Sequence, residues 1–207
     1  MRSFFVFCVF CSLMFLLGCG RPPEHIIKTN RVSHYVLHVD RAFKAEDRKI
    51  ILASFVEWQS KTNGIVTFEV SEKSWVHGKD DLIYNSSPTG CTNDVYVASV
   101  GENDEYIRQL DKKTGVGNTL AYTSSTCDSK FVGLMLQRIT GSADLRSTAL
   151  HEAGHLIGLD HIPVPDSSIM YPARTKTASC ITQLDMKQFC EMYGCNWRDM
   201  TYCAIED

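Results

Sequence analysis

Apolar residues along the chain recur with helical spacing in three segments. Apolar positions at i, i+4 and i+7 predict a helix over 44–61, which ends before a glycine. A second helix is predicted over 142–158, with Ser142 as its N-cap and Gly158 as its C-terminal stop. A third is predicted over 181–194 and also ends at a glycine. The chain therefore has one early helix and two late ones.

Five other segments are rich in β-branched and aromatic residues, which favours strands. These predicted strands cover 33–40, 64–72, 94–101, 118–123 and 130–139. The polar residues between the third and fourth strands, rich in Asp, Lys and Gly, are assigned neither helix nor strand. About five strands with an inserted early helix and two late helices indicate a single α+β domain without an internal boundary.

The first 20 residues have a different pattern. Arg2 is followed by an apolar run over 4–17, shorter than the roughly 20 residues of a membrane-spanning helix, as in a secretory signal. The end of this run, Leu-Leu-Gly-Cys at 16–19, resembles a bacterial lipobox, in which Cys19 is acylated. The sequence thus predicts a signal peptide at 1–18, a tether at 19–30 and a domain at 31–207. An ordinary cleaved signal or an uncleaved anchor is the alternative.

The lipobox also implies a location. An acylated Cys19 would anchor the exported protein to a membrane, since buried methylene groups hold lipid chains in a bilayer. Gly20 rather than aspartate follows the cysteine, which by resemblance to lipoproteins favours the bacterial outer membrane, on its periplasmic or surface face. The sequence does not distinguish the two faces.

Composition is ordinary for a globular protein of 207 residues, with 44% hydrophobic and 22% charged residues. The formal net charge is −3, and acidic and basic residues are interspersed. Nucleic-acid binding usually requires a clustered basic face, so no nucleic-acid partner is expected. The chain is expected to act as a monomer.

Six cysteines lie in the predicted domain, and an even number in an exported chain favours three disulfides, with 15 possible connectivities. Four fall in the last 28 residues and are expected to link the tail to the last helix, which leaves the other two to pair by exclusion. None forms a CxxC pair, so a cysteine metal site is the weaker alternative. The six are Cys91, Cys127, Cys180, Cys190, Cys195 and Cys203.

Residues suited to metal binding and catalysis are concentrated in HEAGHLIGLDH at 151–161. His151 and His155 are four residues apart, so on a helix both imidazoles face one side and can bind one metal ion. Glu152 is placed to act as a base on a water molecule at that metal. Gly158 can adopt a positive φ and end the helix, which allows His161 to return as a third ligand. Three histidines and an open position suit one catalytic zinc ion.

This spacing resembles that of the metzincin zinc peptidases. SIMYP at 168–172 resembles their methionine turn, so Met170 is expected to form an apolar floor under the histidines. Within that clan the chain most resembles the matrixins. The segment 181–194 resembles their C-terminal helix. The resemblance covers most of 31–194. It implies a metzincin-type catalytic domain with a twisted mixed sheet, an early helix, an active-site helix and a C-terminal helix.

Two departures limit the resemblance. The matrixin edge strand reads LAHA and its histidine binds a structural zinc; here Leu-Ala-Tyr-Thr at 120–123 carries Tyr122 instead, so a structural zinc is not expected. Calcium sites cannot be placed. After the methionine turn, Pro-Ala-Arg at 172–174 replaces Pro-x-Tyr, which changes the expected pocket wall. By this resemblance the expected substrate-binding residues are Leu120, Ala121, Tyr171, Pro172 and Arg174.

The predicted function is zinc-dependent endopeptidase activity on extracytoplasmic proteins or peptides, with water activated by zinc and by Glu152. An alternative of a different class stays open. The domain could be a catalytically silent, membrane-anchored module that binds a peptide without cutting it. The glutamate argues against that alternative, because binding alone does not need a general base.

Overall fold

A five-stranded sheet forms the centre of the computed structural model. The structure describes residues 33–79, 92–115, 117, 119–127, 129–173 and 178–204. The predicted signal, tether and lipid site, together with Cys91 and Arg174, lie outside these residues. The strands are β1 (Ser33–Val39), β2 (Val66–Val70), β3 (Asp94–Ser99), β4 (Ala121–Ser125) and β5 (Lys130–Leu134).

The strand order is β2-β1-β3-β5-β4, and only β4 runs antiparallel to its neighbour. The helices are α1 (Ala45–Lys61), α2 (Glu105–Thr114), α3 (Gly141–Leu156) and α4 (Gln183–Tyr193), followed by a short 3-10 turn, Trp197–Asp199. The predicted α+β domain with a five-stranded mixed sheet is confirmed. The antiparallel strand β4 forms one edge of the sheet, beside the start of the histidine segment in space.

One face of the sheet carries the main core. Alternate strand residues such as Leu37, Val97 and Leu134 are fully buried and pack with α1 and α3. Trp58 of α1 is also fully buried, and its indole N–H donates to the carbonyl of Leu150 in α3 over 2.9 Å. This contact attaches the helix that carries the histidines to the rest of the core.

Helix α2 was not predicted. It lies in the polar stretch between the third and fourth strands, and Asp104 begins it by accepting from the N–H groups of Tyr106 and Ile107, both over 3.0 Å. Only Ile107 of its first turns is fully buried, against Val100 and Met135. Ile107 and Leu110 are three residues apart and Asp104 is a suitable N-cap, so the segment does carry helix signals, but its mostly charged and polar composition favoured a loop.

Three boundary predictions were wrong. The fourth strand, predicted over 118–123, is Ala121–Ser125. Helix α3 begins at Gly141 with Thr140 as N-cap, not at Ser142, because Thr140 donates its backbone N–H to Asp144 over 2.9 Å. The predicted strand over 130–139 ends at Leu134. The Met135 N–H donates to the Leu120 carbonyl over 2.8 Å, and the chain then turns.

Disulfides hold the C-terminal tail, as the cysteine spacing predicts. Cys190 of α4 bonds to Cys195, and Cys203 of the tail bonds to Cys180, just before α4. The Cys203 N–H also donates to the Ile181 carbonyl over 3.0 Å. Cys127 is in a disulfide as well; its pairing with Cys91 stays a prediction. Within the ranges described above, no helix is both long and apolar enough to cross a membrane.

Trp58→Ala tests the contact between α1 and α3. Removal of a fully buried indole should lower the free energy of unfolding by about 3–5 kcal/mol, because a cavity is left and the hydrogen bond to Leu150 is lost. Urea denaturation measures the change. Val56→Ala on the exposed side of the same helix is the control and should cost under about 0.5 kcal/mol. Equal effects of the two substitutions would contradict this account.

Candidate metal centre

Three histidines converge at the C-terminal end of α3. His151 and His155 lie one turn apart on the helix, which ends at Leu156. Gly158 then adopts a φ of +100°, and its N–H donates to the His155 carbonyl over 3.0 Å, so the chain reverses and returns His161 to the helix. This backbone conformation requires glycine, because residues with a Cβ are strained at such a positive φ.

The histidine side chains are close enough to share one ion. One nitrogen from each lies within 4.8 Å of the others, and Nε2 of His155 is 3.1 Å from Nε2 of His161. This is the one such cluster of three or more His, Cys, Asp or Glu side chains in the described ranges. The predicted ligands His151, His155 and His161 are therefore brought together.

Backbone carbonyls orient two of the rings. Nδ1 of His151 donates to the Ile169 carbonyl and Nδ1 of His155 donates to the Leu159 carbonyl, each over 2.8 Å. With the proton on Nδ1, the other nitrogen, Nε2, carries a free lone pair that faces the cluster. Carbonyl partners of this kind fix the tautomer and the ring orientation of histidines that bind metals.

The surroundings of the cluster also favour neutral imidazoles. Burial lowers the pKa of His151 and of His155 below the ordinary value for histidine. Burial, followed by the other two histidines, lowers the pKa of His161 to about 4. A metal ligand must be deprotonated, so these rings are suited to accept an ion.

Glu152 lies beside the cluster and is buried, with 5% of its surface exposed. Its Oε2 accepts a 2.6 Å hydrogen bond from the hydroxyl of Thr123 on β4. Burial raises the pKa of Glu152 above its ordinary value, while His155 and the Thr123 hydroxyl act in the opposite direction. The sequence analysis did not find Thr123, because its partner is 29 residues away and no local pattern links the two.

Met170 is fully buried beneath the helix. A Cβ at Gly154 would collide with Sδ of Met170, so the missing side chain allows the methionine to pack against the backbone between His151 and His155. This position agrees with the apolar floor predicted for Met170. The contact is also the physical reason for a glycine in the middle of α3, where it would otherwise weaken the helix.

The carboxylate of Asp185 holds the methionine turn in place. This fully buried residue of α4 accepts from the Ser168 hydroxyl over 2.5 Å and from the N–H groups of Ile169 and Met170 over 3.1 and 3.3 Å. It also accepts from the N–H of Thr182, the N-cap of α4, over 2.7 Å. This contact was not predicted, because Asp185 and the turn are 15 to 17 residues apart and no local pattern links them.

The expected substrate-binding residues divide between the edge strand and the turn. Ala121 begins β4 and Leu120 precedes it, at the edge of the sheet. Tyr171 follows Met170 and is half-buried, and Pro172 is exposed.

Tyr122, in the place of the matrixin histidine, faces the opposite side of the sheet from the histidine cluster. There its ring lies over Gly133 and packs against Tyr106 of α2, with ring centroids 4.5 Å apart.

The matches of this chain to known proteins include a family, a plant protein and a bacterial structure. A sequence profile of the Matrixin family matches residues 31–194. Metalloendoproteinase 2-MMP of Arabidopsis thaliana is 43% identical over 60 residues, which is 28% of this chain and 16% of that protein. The crystal structure of metalloproteinase-II from Bacteroides fragilis has a TM-score of 0.43 and 15% identity. That match covers 83% of this chain and 55% of the other.

Asp185→Asn tests the link between α4 and the methionine turn. The asparagine amide has one acceptor oxygen fewer, and its NH₂ group would face the N–H and O–H donors that now bond to the carboxylate. The free energy of unfolding should therefore fall by about 2–3 kcal/mol. Zinc affinity should fall too, because Ile169 orients His151. Urea denaturation and competition with a chelating dye measure the two effects.

Glu191→Gln, on the exposed side of the same helix, is the matched control and should change neither quantity. Unchanged stability and zinc affinity in Asp185→Asn would show that this carboxylate does not support the site.

Proposed function

The chain belongs to the matrixin family of metalloproteases, and from this premise we propose that it is a zinc-dependent endopeptidase. The observation that carries the proposal is the cluster of His151, His155 and His161 with the buried carboxylate of Glu152 beside it. The aligned segment spans only 16% of the Arabidopsis relative, so the activity is argued from this site rather than transferred.

The histidines fit zinc by the chemistry of the donor set. Zinc accepts imidazole nitrogen and commonly takes three protein ligands with an open fourth position. Two of the rings present Nε2 because carbonyls hold their Nδ1–H groups, and burial lowers the pKa of all three rings, which favours the neutral form. When bound, zinc would supply a Lewis acid that lowers the pKa of water and polarises the peptide carbonyl.

Glu152 would act as the general base and then as the general acid. Its carboxylate accepts a proton from the attacking water and delivers that proton to the nitrogen of the leaving amine. Burial suits this role, because a raised pKa makes the carboxylate a better base and lets it hold the accepted proton until that proton is delivered to the amine. The hydroxyl of Thr123, in β4, holds the carboxylate beside the cluster through its hydrogen bond.

The edge strand β4 suits an extended peptide substrate. It pairs with β5 on one side, and its backbone at Leu120 and Ala121 can pair with a substrate strand on the other. Tyr171, Pro172 and Arg174 would line the pocket for the residue after the cleaved bond.

We further propose that the enzyme is exported and lipid-anchored through Cys19 at a bacterial outer membrane, which the lipobox resemblance supports.

Glu152→Gln and zinc removal test the catalytic proposal on the protein released from its anchor. The substitution keeps side-chain volume but removes the base, so turnover of a peptide library should fall by about 10²–10⁴-fold while bound zinc persists. A chelator should abolish turnover in the wild-type protein, and added zinc should restore it. Peptide cleavage is followed by mass spectrometry, and metal content by elemental analysis.

Glu46→Gln, at an exposed position in α1, is the control and should keep full activity. The proposal fails if turnover survives either the Glu152 substitution or complete loss of zinc. A wild-type protein that binds peptides but never cleaves them would support the silent binding module instead.

Cys19→Ser tests the anchor in cells that process bacterial lipoproteins. Without the thiol no lipid can be attached, so the protein should move from the membrane fraction to the soluble fraction, and the intact-mass difference that corresponds to acyl chains should vanish. Cys8→Ser, within the apolar run, is the control and should leave membrane attachment unchanged. An unlipidated wild-type protein, or membrane attachment of Cys19→Ser, would overturn the lipoprotein assignment.

A further inference from the structure

One hydroxyl joins the edge strand to the catalytic carboxylate. The Oγ1 of Thr123, in the middle of β4, is 2.6 Å from Oε2 of Glu152 and 3.1 Å from the backbone carbonyl oxygen of the same residue. The hydroxyl has a single proton to donate, and the shorter distance is to the carboxylate. Thr123 faces α3 because Tyr122, its neighbour on the strand, occupies the opposite face.

The two carboxylate oxygens of Glu152 have different surroundings. Oε2 is engaged by Thr123, whereas Oε1 accepts no hydrogen bond from the described residues. Glu152 keeps 5% of its surface exposed, so its pocket is not fully closed to solvent. The oxygen that Thr123 leaves free is therefore the one that a water molecule can approach.

The terminal torsion of a glutamate has a broad, roughly two-fold energy profile, so burial alone does not select one orientation of the carboxylate plane. Among the described residues, the Thr123 hydroxyl is the one hydrogen-bond donor to this carboxylate. Its removal would leave the plane free to turn within its pocket. A base that must accept a proton from a positioned water loses rate when its oxygen moves by even about 1 Å.

We propose that Thr123 is a positioning residue, which holds Oε2 of Glu152 and thereby directs Oε1 to the water that attacks the substrate. The inference rests on the proposed peptidase function and deepens it. Thr123 lies two residues after Ala121, where the substrate backbone is proposed to pair, so the same strand that aligns the peptide also aligns the base. Substrate register and the position of the base are thus set by one rigid element.

Thr123→Val, which replaces only the hydroxyl by a methyl group, tests this role in the zinc-loaded enzyme. The expected result is a fall in kcat of about tenfold with KM changed by less than about twofold, because the lost contact acts on the base and not on the peptide. Thr123→Ser restores the hydroxyl and should recover kcat to within about threefold of wild type. Ser124→Ala, the adjacent hydroxyl on the opposite face, should retain wild-type kcat. Zinc content and thermal unfolding are measured for each variant.

If Thr123→Val does not fold, the pair Thr123→Ala and Thr123→Ser decides the question, since these two differ only in the hydroxyl. A lower kcat in the alanine variant that serine restores, at equal zinc content, supports the proposal. Equal kcat in the alanine and serine variants, or a rise in KM with kcat unchanged, overturns the proposal. The peptidase function itself would be overturned if the wild-type protein had no turnover, or if the Glu152→Gln variant kept it. If the wild type is active and Thr123→Val is equally active, only the role of Thr123 is overturned.

Discussion

The buried carboxylate of Asp185 is the contact on which the site depends. It accepts from donors in two separate segments, the methionine turn and the start of α4, and so holds the turn against α4. The methionine turn makes two contacts with α3. The Ile169 carbonyl orients His151, and the Met170 side chain fills the space left by Gly154. A buried charge would be costly without partners, and here the donors of the turn and the helix cap offset that cost.

The C-terminal segment contributes to the site through this carboxylate. The disulfide between Cys180 and Cys203 and the hydrogen bond from Cys203 to Ile181 hold the tail against the residues just before α4. Thr182, next in the chain, donates both to Asp185 and to the Ser167 carbonyl beside the turn. The covalent link at Cys180 is therefore two residues away from Thr182, whose hydrogen bonds join the start of α4 to the methionine turn.

Local chemistry could be predicted from the sequence, and contacts between distant segments could not. Gly158 and Gly194 were expected to end helices, and both have a positive φ, because the requirement for glycine is set within a few residues. Thr123 and Asp185 were missed, since each acts on a partner in another element. Helix α2 was missed for a different reason. Its N-cap Asp104, the apolar pair Ile107 and Leu110 and the terminal Gly115 are local signals, but the segment is mostly charged and polar and was assigned neither helix nor strand.

Strand β4 has a neighbouring strand on one side only. Side chains on both of its faces help to fix its register. A substrate can pair with β4 only if one side of the strand stays open, and open edge strands are prone to slip in register. On one face the ring of Tyr122 lies over Gly133, its cross-strand partner, and meets Tyr106 of α2. On the other face Thr123 bonds to Glu152. A slip by one residue would place the tyrosine toward the buried carboxylate and the threonine toward the aromatic cluster. Both faces therefore disfavour the slip, and the edge can remain open for a peptide without loss of its register.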